Sequence, residues 1–234
     1  MLPDDIGAVI HLAAVTSGVP APGQDEVAAA QRLLAAASDR RVPFVFVSSQ
    51  TASEHAPTAY GRTKWRIEQL TLAQGGCVVR PGQVYGGPER GLFGLLARLR
   101  RVPVLPAFVP PPRVQPVHVD DLAQALLACT APQGRPGVLC IGDASPITFT
   151  RFLALIAHGR TGRRPLFVPV PVLLVRLAGR LVGPVARERL GLARLTSLFE
   201  LPPMDTDADL RSWACSCAPS PPAWPAWGMR IAAG

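Results

Sequence analysis

Lysine is almost absent from this chain. Lys64 is the only one, and arginine carries the rest of the basic charge. Tyrosine is nearly as scarce, with Tyr60 and Tyr85 alone, and asparagine does not occur. Five cysteines, Cys77, Cys129, Cys140, Cys215 and Cys217, make an odd set without a C-x-x-C pair, which speaks against a disulfide scaffold and for a reduced, cytoplasmic protein. His11, His55, His118 and His158 lack ligand spacing, so no metal is expected. A basic stretch followed by an apolar run and a cleavage site is also missing near Met1, so no secretory signal is expected. The most apolar later stretch, Pro165 to Val185, is interrupted by Pro169, Pro171, Arg176 and Arg180 and falls short of a membrane span.

What is present describes a folded globule. At 234 residues and 48% hydrophobic, the chain can bury a real core. The formal charge of +8 is spread over arginines, with clusters at Arg98-Arg100-Arg101 and Arg160-Arg163-Arg164. A basic face can attract phosphates, nucleic acid or acidic lipid, but a solvated surface is the plainer reading. No aromatics are stacked among these arginines, so nucleic acid is not expected as a partner. Residues 172–182 place Leu and Val at helical spacing with Arg176 and Arg180 one turn apart, which suits an amphipathic helix packed on a core. A membrane-surface helix is the lesser reading, and no membrane partner is expected.

In order, Gly7 to Ala14 is a short apolar run of the kind that forms a buried parallel strand, ending in small Ala13 and Ala14. Asp25 to Ser38 reads as a helix, and Phe44 to Val47 as a second buried strand ending in Ser48-Ser49-Gln50-Thr51. A helix from about Pro57 to Ala73 carries Tyr60 and Lys64, and Cys77 to Val79 is a third strand. Arg80 to Pro88 reads as a ligand-facing Gly/Pro-rich loop, Gly91 to Arg101 as a helix, and Val102 to Pro116 as an extended, exposed proline-rich excursion. Val117 to Val119 is a short strand, Asp120 is placed to cap a helix over Leu122 to Cys129, and Gly137 to Ile141 is a further strand. Thr148 caps a helix through Ala157, and after Pro203 mostly loop is expected, with a short helix near Asp207. Strand, helix, strand in this order predicts an α/β fold with a parallel sheet.

Tyr60 and Lys64, four apart, share one helical face and can reach the same cleft. An ammonium is a compact point charge that can sit beside a phenol, which a guanidinium cannot replace. With these residues in place, the chain resembles the extended short-chain dehydrogenase/reductase superfamily, in particular its NAD-dependent epimerase/dehydratase family. The matching features are Val9-Ile10-His11-Leu12-Ala13-Ala14, Phe44-Val45-Phe46-Val47-Ser48-Ser49, Tyr60-x-x-x-Lys64, Arg80-Pro81-Gly82-Gln83-Val84-Tyr85-Gly86 and Val117-His118-Val119-Asp120-Asp121. The resemblance implies a partial Rossmann-like sheet over residues 1–130 and a substrate lobe over 131–234, interleaved with 87–116. It implies Ser49, Tyr60 and Lys64 as catalytic residues, with Tyr60 as the base. NAD or NADP would lie against Leu12, Ala13, Ala14, Ser48, Tyr60, Lys64, Pro81 and Gly82, and substrate against Gln50, Thr51 and Gln83. Without the Tyr–Lys pair, Ser48-Ser49 would read as a strand-end turn. Tyr85 reads as packing rather than chemistry.

Three departures from the family pattern stand out. Gln83 replaces an Asn common in sugar-nucleotide enzymes, Gln50 and Thr51 replace the acidic pair of a dehydratase, and no Asn stands near Asp25-Glu26. They leave the substrate open and speak against dehydration. The family's glycine-rich turn, which presents N–H groups to the pyrophosphate, has no counterpart before the first strand. The sequence therefore reads as an N-terminally truncated form whose first strand becomes an uncovered sheet edge. Two functions are expected from it. One is NAD(P)-dependent oxidation or epimerisation of a hydroxyl on a sugar nucleotide or similar small molecule, with room for a homodimer and with this form inactive. The other is a non-catalytic binding or scaffold protein.

Overall fold

A computed structural model of the chain describes residues 3, 5–12, 24–86, 104–131, 137–161, 165–181, 197–199 and 201–209. Ala13 and Ala14, the expected helix over 91–101, and the stretch from 210 onward lie outside them. The described residues fall into two compact units.

The first unit holds a four-stranded parallel sheet in the order β1-β2-β3-β8, from β1 (Val9–His11), β2 (Phe44–Val47), β3 (Cys77–Pro81) and β8 (Gly137–Ile141). All four residues of β2 are buried, as a strand covered on both faces requires. Helices α1 (Gln24–Asp39) and α2 (Ala59–Ala73) close a core of Ala30, Leu34, Ala37, Phe44, Phe46, Ile67 and Val78. Each such large side chain, fully buried, contributes roughly 1.5–3 kcal/mol. Helix α3 (Val119–Cys129) buries Leu122, Ala125, Leu126 and Cys129, and the Cys129 thiol hydrogen-bonds to that of Cys77 at the start of β3. Asp120 lies within the first turn of α3 rather than capping it, because the helix begins directly from the preceding strand.

The second unit contains three strand pairs. They are β4 (Gln83–Tyr85) with β7 (Pro116–His118), β5 (Val104–Val109) with β10 (Leu166–Pro171), and β6 (Arg113–Val114) with β9 (Ile147–Thr148). The proline-rich excursion is extended but only partly exposed. Its Leu105, Phe108 and Val114 join Phe149, Phe152, Leu153, Val172 and Leu198 in a core, and its prolines are tolerated because each strand pairs on one side only. Part of the expected Gly/Pro loop is also strand, since Arg80 and Pro81 complete β3 and Gln83 to Tyr85 form β4. Gly86 ends that strand at φ +87°, where an added Cβ would meet the His118 ring at 2.4 Å. Tyr85 packs edge-on against His118 and Phe152, as its packing role predicts. Helix α4 (Phe149–Thr161) starts behind Thr148, whose Oγ1 accepts the Arg151 N–H at 3.2 Å. Helix α5 (Val172–Leu181) follows β10 directly. Among the described residues, no helix is long and apolar enough to cross a membrane.

A buried ion pair joins α2 to β3 in the first unit. Glu68 is fully buried, and the Arg80 side chain retains 28% exposure. Arg80 Nε donates to Glu68 Oε1 at 2.7 Å and Nη2 donates to Oε2, a bidentate clasp. Beside Arg80 in register, the Cys140 N–H donates to Asp209 Oδ2 at 2.9 Å, tying the short helical turn at 206–209 to β8. Burial, then the hydrogen bond to Asp209, pushes the Cys140 thiol up to about 12, which makes it a poor nucleophile. The clasp is asymmetric in solvent access, so its two halves should not cost the same to remove. Arg80→Met leaves a buried carboxylate unpaired and should lose about 3–5 kcal/mol in denaturant unfolding. Glu68→Gln should lose clearly less, because the arginine head can turn to water. Equal losses would contradict this picture.

Candidate active site

The site is assembled where α2 meets the C-terminal end of β2. Thr58 adopts extended geometry and caps α2, its Oγ1 accepting the Gly61 N–H at 3.1 Å. From there Gly61, Lys64, Ile67, Glu68 and Thr71 recur at helical spacing along the buried face. Two of them are ionisable, which is rare for a buried stripe unless each finds a partner. Glu68 has Arg80. Lys64, only 3% exposed, donates from Nζ to the Val47 carbonyl oxygen at 2.8 Å.

That carbonyl belongs to the last residue of β2, so the bond fixes the ammonium beside Ser48-Ser49. The Lys64 Nζ also stands 4.6 Å from the Phe46 ring centroid and 5.8 Å from that of Tyr60. Both rings therefore face the cation. Gly61 explains how the helix comes so close to the loop after β2. A Cβ there would lie 2.6 Å from the Thr51 carbonyl oxygen and from the Ala56 Cβ. Tyr60, its neighbour, is thereby held on the turn that abuts the serine loop.

Burial depresses the Lys64 pKa to about 8, against the attraction of Glu26 and Glu68, which raise it. His11, at the end of β1, stacks on Phe46 at 5.6 Å. Burial lowers its pKa, Lys64 lowers it further, and Glu26 opposes both. A neutral imidazole beside the ammonium thus leaves Lys64 as the positive charge of the cluster.

The expected residues are distributed as follows. Ser49 Oγ lies 2.9 Å from Thr51 Oγ1 and accepts the Thr51 N–H at 3.2 Å, so the loop orients its own serine. Gln50 is buried between them in sequence. The Ser48 N–H donates to the Val79 carbonyl oxygen at 2.8 Å, while its Oγ is buried without any hydrogen-bond partner. Buried hydroxyls are ordinarily satisfied, so this one fits a position that a polar ligand completes. Pro81 and Gly82 end β3 beside Ile141, to whose carbonyl oxygen the Gly82 N–H donates at 2.8 Å. Leu12 follows β1 and is 61% exposed, and Ala13 and Ala14 lie outside the described residues. Gln83 is half-buried in the second unit, its N–H donating to the Gln115 carbonyl oxygen.

Sequence reasoning assigned no role to Glu68, Arg80, Glu26 or His11. The available signals were a Glu one turn beyond Lys64 and a lone His in an apolar strand. Among the described residues, no cluster of His, Cys, Asp and Glu could hold a metal.

The model of the NAD dependent epimerase/dehydratase family matches residues 1–142. A ceramide reductase from Caulobacter vibrioides is 32% identical over 167 residues, covering 68% of this chain and 50% of its own length. The Dictyostelium discoideum mitochondrial NADH dehydrogenase 1 alpha subcomplex subunit 9 is 29% identical over 130 residues, covering 54% and 36%. The chain thus spans half or less of the curated relatives it matches. Among solved structures, a UDP-N-acetylglucosamine 4-epimerase from Bacillus cereus superposes with TM-score 0.57 at 17% identity, covering 72% of this chain and 67% of that one. At that identity the superposition speaks for the fold.

Because Lys64 is the sole lysine, lysine-specific isotope labelling yields one amine resonance to titrate. Its midpoint should fall near 8 rather than at 10.5. The unfolded chain then holds more protons than the folded one between those values. Stability contributed by Lys64 should therefore rise as pH goes from about 8 to 10.5, and be lost as pH falls through about 8. Lys64→Met should abolish that increment in paired unfolding curves, and a midpoint near 10.5 would mean a solvated ammonium.

Proposed function

The chain belongs to the NAD dependent epimerase/dehydratase family, and on that premise we propose that Tyr60 and Lys64 carry nicotinamide-dependent hydride transfer at a hydroxyl-bearing carbon of a sugar nucleotide or similar small molecule. The observation that carries the reading is the buried Lys64 ammonium, fixed at the end of β2 with the Tyr60 ring beside it. A free phenol ionises near ~10, too high for an efficient base at neutrality. A cation within a few ångströms favours phenolate and brings that pKa down. Tyr60 would remove the proton of the substrate hydroxyl, with Ser49 hydrogen-bonding the same oxygen to orient it. Lys64, with two of its three N–H groups beyond the one given to Val47, would hold ribose hydroxyls, and the unsatisfied Ser48 Oγ would meet the cofactor. When bound, NAD or NADP supplies the hydride acceptor. Although burial lowers the Lys64 pKa to about 8, the amine is still mostly protonated at neutral pH.

A second reading, a non-catalytic binding or scaffold protein, is favoured by similarity to a mitochondrial NADH dehydrogenase subunit. Calorimetry with NAD and NADP separates the two. Binding of either, together with turnover that Tyr60→Phe lowers by roughly 10²–10⁴-fold while leaving cofactor affinity nearly unchanged, supports the enzyme. Binding of neither supports the scaffold, and a turnover unchanged in Tyr60→Phe removes Tyr60 from the mechanism.

A further inference from the structure

Helix α5 turns its largest apolar side chains away from the core. At about 100° per residue, Val172, Val175 and Gly179 share one side of the helix. Val172 and Gly179 are buried and Val175 is half-buried. The opposite side is a leucine stripe, with Leu173 74%, Leu174 57%, Leu177 49% and Leu181 79% exposed. Arg176 and Arg180, both exposed, run along its flank. In β10, which leads into the helix, Leu166 is 70% and Val168 50% exposed, and Val104, opposite Leu166 in register, is 40% exposed. Single exposed leucines are ordinary, but four on one helical face mark a surface that something covers.

Charge decides what covers it. From 165 to 181 the only ionisable residues are Arg176 and Arg180, and the whole chain carries +8. A second copy pairing this face with itself across a two-fold would bring two more arginines and no carboxylate from 165 to 181. An anionic bilayer answers both properties at once. Leucines enter the boundary between headgroups and acyl chains, while long arginine side chains reach sideways to phosphates. A cavity of about 310 Å³ shares Leu173 and Arg176 with this face and is otherwise walled by Pro110, Pro111, Pro112, Val172 and Phe199, which gives a headgroup a recess next to the stripe.

We infer that α5 docks on anionic lipid membranes, its Leu173–Leu177–Leu181 stripe inserted at the interface and Arg176 and Arg180 against lipid phosphates. The inference is independent of the proposed hydride chemistry.

The test is flotation of the full chain with vesicles of phosphatidylcholine alone or with about one-third phosphatidylglycerol. The chain should float with the anionic vesicles at low salt and lose most of that partition at high salt. Leu173→Ser/Leu177→Ser should reduce partition about tenfold, as should Arg176→Gln/Arg180→Gln. The leucine pair is exposed, so its thermal midpoint should stay unchanged and separate docking from folding. The inference is overturned if the chain stays in solution with both vesicle types, or if the leucine variant floats as the native chain does. It is also overturned if light scattering shows a dimer that the leucine substitutions dissolve while no flotation occurs, which would assign the face to a second copy.

Discussion

The hydrogen bond from Lys64 Nζ to the Val47 carbonyl oxygen is the constraint around which the first unit is arranged. An ammonium taken out of water is costly, and one hydrogen bond does not repay it. The surroundings share the cost. Phe46 offers the electron-rich face of its ring, Glu26 and Glu68 supply opposite charge, and His11 stays neutral beside it. Glu68 in turn is clasped by the bidentate Arg80 on β3. A chain of contacts thus runs from β1 through β2 and α2 to β3, with the ammonium at its centre. This is how an α-helix can present a cation at the end of a sheet without exposing it.

Much of this could be read from the residues. The rarity of lysine and tyrosine drew attention to Tyr60 and Lys64 before any fold was assumed. Thr148 stands where a hydroxyl cap belongs, and a helix starts there. Phe44 to Val47 and Gly137 to Ile141 are strands with the bounds that their apolar runs suggest. Local chemistry determined these elements, so local reading found them. What was missed depends on distant partners. Val104 to Val114 is half strand because residues 166–171 and 147–148 lie beside it, and proline content alone cannot reveal that. Glu68 is buried because Arg80 reaches it from another element. For α5 the periodicity showed that an apolar stripe exists, but not which way it faces. The core took Val172 and Gly179 and left the leucines outside.

The two units divide the residues unevenly with respect to sequence. The chain leaves the parallel sheet after Gly82, returns for α3 and β8, and leaves again at Asp143. The sheet unit contains Ser49, Tyr60, Lys64, Pro81 and Gly82, which are the residues proposed for the cofactor chemistry. The other holds Gln83, the cavity beside α5 and the exposed leucines. In such an arrangement residues at rigid strand ends can stay fixed while loops and other elements vary with what they contact. Among the described residues, β1 is an edge strand of the sheet, with β2 on one side only. Its pairing groups on the other side are available to whatever strand adjoins it.

The single lysine has one more consequence, in chemical reactivity. Acylating reagents attack the neutral amine, and in the folded chain the only side-chain amine is shut between an aromatic ring and a carbonyl oxygen. Lys64 is only 3% exposed, so reagent reaches it when that enclosure opens. The protein therefore carries a built-in clock for its own opening, since each acylated Lys64 records one excursion in which the amine left that enclosure.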